Sequence, residues 1–201
     1  MPGRRLVLAS ASPSRLRLLT QAGFAPDVIV SGVDETTITN DDPTALVAEL
    51  AEVKAATVAA TLAGDEAMVL GCDSALDVDG VAHGKPVSAE EATRRLRALR
   101  GRSAVLRTGH CLADALTGER VSGVASTTVW FGEYDDAELE AYVATGEPLA
   151  VAGAFTLDGY SAPFIGGVEG DPSNVIGLSL PLLRTLLRRV GVEVRDLWVP
   201  P

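Results

Sequence analysis

The chain has 201 residues, a formal charge of −10 at pH 7 and 47% hydrophobic residues. That length suits one large domain or two interleaved lobes, and the composition excludes a disordered chain, a collagen-like repeat and a coiled coil. The acidic balance excludes nucleic-acid binding by broad phosphate neutralisation, but it leaves room for one local basic pocket.

Near its start the chain has two arginines, Arg4 and Arg5, then an apolar stretch and an Ala-Ser-Ala triplet, as a secretory signal does. The apolar part, residues 6–9, is shorter than the roughly 7–15 residues of a signal, so it is read as a first buried strand. Ser12 followed by Pro13 is an N-cap with proline at the first helical position, which predicts a helix to about residue 22. A strand is expected at residues 27–31. Asp42 and Pro43 repeat the start signal and predict a helix over residues 43–62, stopped by Gly64.

Residues 67–71 read as a buried strand that ends in Cys72, Asp73 and Ser74, and Asp77-Val78-Asp79-Gly80 reads as a turn. Ser88 with Glu91 three residues on is a capping-box pattern for a helix ending near Gly101. Residues 103–131 form two long strands around Thr117-Gly118-Glu119, a hairpin. An amphipathic helix follows at residues 135–145, then loop and strand over 150–165, and a closing helix at 180–190. Alternating strands and helices predict an α/β fold with a mixed central sheet flanked by helices, the long hairpin suggesting a second lobe. No linker or repeat divides residues 1–201, which are taken as a single domain. No window approaches 18 uncharged apolar residues, so no transmembrane helix is expected. Cys72 and Cys111 have neither disulfide-framework nor zinc spacing, and a reducing cytoplasm is the expected compartment.

Several groups can carry chemistry. Ser10, Ser12, Ser14 and Arg15 surround a predicted helix N-terminus, where free N–H groups and the helix dipole favour an anion. For Ser12 alone, plain capping suffices. Among the 17 cations only Lys54 and Lys85 are lysines. Lys54 shares a helical stripe with Val47, Leu50, Ala51 and Val58, so it either pairs with an anion or snorkels at the stripe's edge. Asp73 closes a strand, where it either holds a metal or orients a water, or simply starts a turn. Lys85 stands in a Gly- and Pro-flanked loop that is not a Walker A motif. The arginines at 94, 95, 97, 100 and 102 read as a solvated helix face, and His83 and His110 as surface or structural residues. Glu35, Asp73 and Asp171 are the acid groups available beside the two lysines.

Residues 8–19 (LASASPSRLRLL), Val33-Asp34-Glu35, the segment around Lys54, GCDS at 71–74, GKP at 84–86, TGH at 108–110, AGAFTLDG and EGDPSNVIGLSLPLL together resemble the Maf family of nucleoside triphosphate pyrophosphatases. The resemblance runs in order over nearly the whole chain. It implies two lobes around a cleft, a homodimer, and hydrolysis of a nucleoside triphosphate between the α and β phosphates with a divalent cation, Mg²⁺ or Mn²⁺. Carried over, Asp73 corresponds to the general base, Ser10 and Arg15 to the phosphate-binding start, and Glu35, Lys54 and Lys85 to metal- and phosphate-contacting groups. The branch acting on dTTP and UTP has Arg, Thr and Gln where Ser14, Ser74 and Asp158 stand, which points to a broader base preference set by these three residues. Two other functions are weighed: a non-catalytic nucleotide-binding regulator of septum formation, and a nucleotidyltransferase.

Overall fold

The computed structural model describes residues 4–199, so the first three and last two residues of the expected domain lie outside the described residues. Seven strands form one mixed sheet: β1 Arg5–Leu8, β2 Asp27–Val28, β3 Ala67–Val78, β4 Val81–His83, β5 Ser103–Asp114, β6 Arg120–Phe131 and β7 Ile165–Glu169. The order is β2-β1-β3-β5-β6-β7, with β4 on β3. β1 is parallel to β2 and β3, whereas the other pairs are antiparallel. Among the described residues six α-helices cover it: α1 Pro13–Gln21, α2 Pro43–Thr61, α3 Ala89–Leu99, α4 Asp136–Ala144, α5 Pro172–Ile176 and α6 Leu180–Arg189.

Strand alternation sorts the core into layers. Leu6, Leu8, Met68, Leu70 and Leu112 face α1 and α6, meeting Leu18, Leu19, Leu183, Leu186 and Leu187. Val7, Val69, Cys111 and Ala113 face the other way, onto Ala51, Ala55 and Val58 of α2. A further core lies at the far end of the long strands, where Leu76, Leu106, Val129 and Phe131 meet Leu96 and Leu99 of α3 and Leu139 and Tyr142 of α4. Burying each such leucine contributes about 1.5–3 kcal/mol.

Several expectations need correction. The strand expected at 27–31 keeps only Asp27–Val28, because β2 is a sheet edge paired with Val7 and Leu8 alone. β3 does not stop near Asp73 but runs on to Val78, since β5 supplies partners as far as Asp77. Segment 150–165 is loop with short 3₁₀ turns at Ala152–Ala154 and Ala162–Phe164, and the strand begins only at Ile165. The short helix α5 was not anticipated; it starts at an Asp171 cap with Pro172. The turn at Asp79-Gly80 is as expected, both residues having positive φ.

The sheet carries α2 unusually close. A Cβ on Gly71 would overlap the carbonyl oxygen of Ala51 and sit 2.7 Å from Ala55 N; one on Gly109 would overlap the Val47 carbonyl and sit 2.8 Å from Ala48 N. Helix backbone therefore rests directly on strand backbone at two neighbouring strands, which only glycine permits. We expect Gly71→Ala and Gly109→Ala each to lower unfolding free energy by about 1–3 kcal/mol or more. Gly84→Ala, with open space around its Cβ, should stay within about 0.5 kcal/mol. Denaturant titration of the three variants checks this.

Candidate active site

The partners of β3 leave a gap. β1 pairs with β3 as far as Leu70, and β4 begins pairing on the same edge at Leu76. Between them, residues 71–75 have β5 on one side and no strand on the other. The gap opens past the carboxyl end of β1, where parallel strands commonly admit ligands.

Alternation along this stretch sends its side chains to two faces. Asp73 shares the face of Gly71 and points toward α2. There Lys54 Nζ lies 2.6 Å from Asp73 Oδ1 and 2.6 Å from Glu35 Oε1. Lys54 is buried and Asp73 nearly so, while Glu35 is exposed on a 3₁₀ turn, Glu35–Thr37, that precedes α2. Lys54 is thus a paired cation rather than a snorkelling one. Burial pushes the Asp73 carboxyl above the ordinary range, with Lys54 and then Arg15 pulling it back down.

Ser74 points to the opposite face, toward α1. Arg15, buried, donates from Nε to Gly177 O at 2.8 Å and from Nη1 to Ser10 Oγ at 3.0 Å and Cys72 O at 2.9 Å. Its Nη2 donates to Ser74 Oγ at 3.0 Å. Four of the five N–H bonds of a guanidinium are thereby engaged. Arg15 closes the open edge of β3 by taking the Cys72 carbonyl and ties it to the loop before α6. Thr108, the register partner of Ser74 on β5, is fully buried with its hydroxyl 2.9 Å from Ser74 Oγ. Neither Thr108 nor the Gly177 carbonyl stood out in the sequence. Thr108 sits beside Gly109 in the TGH segment, which was the only available hint.

Cys72, on the face of Ser74 and packed in the core under α1 and α6, is no nucleophile: full burial pushes its thiol up to about 12. His110 is structural, as expected. Ser179 N donates to its Nε2 at 2.9 Å, so the ring hydrogen sits on Nδ1, facing Thr108 O at 3.0 Å.

The family model described as "Maf-like protein" matches residues 5–190. The chain belongs to the Maf-like family. It is 61% identical over 199 residues to a protein of Streptomyces coelicolor named nucleoside triphosphate pyrophosphatase, covering 99% of this chain and 97% of that one. Proteins of the same name from Salinispora tropica and Mycobacterium sp. (strain JLS) are 52% and 49% identical, each covering 96% of this chain and 87% and 98% of theirs.

Not every residue singled out in this Maf-like chain joins the two clusters. Lys85 stands exposed in the loop after β4, and Ser14 is half-buried on the first turn of α1. Asp158 pairs with Arg17 of α1 and accepts from Thr156 Oγ1 at 2.6 Å. Arg17 was missed because a lone arginine within LRLL carries no distinguishing signal. Asp171 caps α5, its carboxylate taken by Ser173, and Asn174 is fully buried. The arginine run is not uniformly solvated, since Arg95 is largely buried beside Glu91 while Arg94 is exposed. Among the described residues no three or more His, Cys, Asp or Glu side chains gather as a metal cage. No described helix is long and apolar enough to cross a membrane.

Burial holds the His110 imidazole down at about 4, against about 6.5 when unfolded. Between those values the unfolded chain takes the proton and the folded chain does not. This contribution to stability is therefore complete above about pH 6.5 and shrinks as pH falls toward 4. The loss should approach about 3 kcal/mol, at 1.36 kcal/mol per pK unit. Denaturation curves from pH 7 to 4 should show this component in the wild type and not in His110→Gln; parallel pH profiles would refute it.

Proposed function

We propose that the protein hydrolyses nucleoside triphosphates to the monophosphate and pyrophosphate. The observation that carries this is the convergence of Lys54, Glu35 and Asp73 on one side of an interrupted strand edge, with Ser10, Arg15 and Ser74 on the other. The name shared by relatives at 49–61% identity supports the same activity.

In this scheme the triphosphate enters the gap at residues 71–75. Ser10, which accepts from Arg15, keeps its own hydroxyl hydrogen for a phosphate oxygen, and Arg15 retains one N–H, while Ser74 accepts from Arg15 and shares its hydroxyl with Thr108. Lys54 and Lys85 supply point charges against the phosphates. Asp73 orients a water and takes its proton as the oxygen attacks the α-phosphorus. The bond from that phosphorus to the bridging oxygen breaks, and pyrophosphate leaves. Its raised pKa makes Asp73 a better base than an exposed aspartate. Ser14, Ser74 and Asp158 select the base, with a broad preference.

Glu35 and Asp73 fit a divalent cation, Mg²⁺ or Mn²⁺. Their carboxylates both reach one ammonium at 2.6 Å, and Mg²⁺ takes one or two carboxylates together with waters and substrate phosphates rather than a full protein cage. When bound, it neutralises phosphate charge and lowers the pKa of a water.

Incubation with a panel of common and modified nucleotides plus Mg²⁺ or Mn²⁺ should release pyrophosphate and the monophosphate. Asp73→Asn should lower the rate by about 10²–10⁴ with the fold intact by circular dichroism. Tight nucleotide binding without turnover would favour a regulator instead. Lys54→Arg and Lys85→Arg should each lower kcat/KM by about tenfold despite keeping the charge, because a planar guanidinium is bulkier and donates in a different geometry. Near-normal rates in both would remove the requirement for an ammonium.

A further inference from the structure

The loop that carries Lys85 is held at both ends by one ion pair. On α3, Glu91 and Arg95 lie one turn apart and meet at 2.5 Å. Glu91 Oε2 accepts from Val87 N at 2.8 Å, on the far side of Lys85, and Arg95 Nη1 donates to Gly84 O at 2.8 Å, on the near side. The Gly84 carbonyl also accepts from Gly153 N at 3.2 Å. Gly153 has φ +73° and no room for a Cβ against Leu76, so that third tie is itself rigid.

Neither member of the pair behaves as a surface charge. The Arg95 and Glu91 side chains are 14% and 20% exposed, against 75% for Arg94 on the same helix. Arg95 Nε is buried without an acceptor among the described residues. An orphan donor is unfavourable, so stability alone does not account for an arginine here. The capping box expected from Ser88 and Glu91 is also only half made. Ser88 accepts from Glu91 N, but the Glu91 carboxylate passes over Ser88 N to reach Val87. Pro86 is buried, whereas Lys85 and Val87 are exposed. The bracket therefore fixes the backbone on each side of Lys85 while leaving its ammonium free.

We infer that Arg95 and Glu91 are positioning residues for Lys85: they hold loop 84–87 so that the ammonium meets the substrate phosphates without first ordering a loop. This rests on the proposed function, in which Lys85 contacts those phosphates. Ordering a free loop at each binding event would be an entropic cost on every turnover, which a preformed loop avoids.

The test is a double-mutant cycle on kcat/KM in the full-length enzyme, with a nucleoside triphosphate as the probe. Arg95→Met should lower kcat/KM about tenfold, mainly through KM, and Arg95→Lys should recover part of it. In a Lys85→Met background, Arg95→Met should change kcat/KM less than about twofold, since there is no ammonium left to position. A merely structural role would shift melting temperature and cost the same factor in both backgrounds; that equality would overturn the inference. If Lys85→Met alone leaves kcat/KM unchanged, the role given to Lys85 fails first, and the two failures are thereby distinguished. Should Arg95→Met not fold, Arg95→Lys and Glu91→Gln carry the same cycle, with Val87 amide exchange expected to quicken in both.

Discussion

The arrangement depends on the seating of α2. Two glycines on adjacent strands, Gly71 and Gly109, remove the side chains that normally hold a helix off a sheet. The helix backbone then lies against the strand backbone, and Lys54, within the Ala51–Ala55 turn that makes the contact with Gly71, is delivered to Asp73 on the same sheet face. A helix held one side-chain layer higher would leave the ammonium short of the carboxylate, and a buried unpaired charge of either sign is far costlier than the pair. The glycine contact and the ion pair are in this sense one constraint.

A second consequence of the sheet plan is that β3 serves two faces at once. Its alternation puts Asp73 among carboxylate and ammonium groups and Ser74 among hydroxyl and guanidinium groups, one residue apart. Each face is secured independently: the α2 face by backbone contact, the α1 face by the four hydrogen bonds of Arg15. Both arrive at the same interruption in the strand edge because β1 and β4 cover different parts of β3. A uniform strand edge would expose no carbonyl for Arg15 to take and no opening between the two sets of groups.

Much of this was readable in the residues themselves. The caps at Ser12, Asp42 and Ser88 each begin the helix expected of them, since a side-chain acceptor two or three residues ahead of an amide is a local event. The stripe containing Lys54 correctly placed that residue against the core, but periodicity says nothing about what lies across from it, and Asp73 and Glu35 are brought there by tertiary structure. The true length of β3 was hidden because polar Asp73 and Ser74 interrupt its apolar run, and pairing with β5 overrides that local signal. Arg95 was hidden for the converse reason. Its pattern matches its solvated neighbours, and only the return of loop 84–87 over α3 covers it.

The interruption at residues 71–75 also bears on solubility. A bare strand edge invites another chain to add a strand, the usual route to edge-to-edge aggregation. Here the exposed stretch is bounded at one end by β1 and at the other by β4, and its Cys72 carbonyl is already taken by Arg15. An incoming strand would find too short a ladder and a guanidinium in its path. The opening proposed for the triphosphate is therefore closed to a neighbouring polypeptide, and the molecule keeps an uncovered strand edge in water without presenting a template for self-assembly.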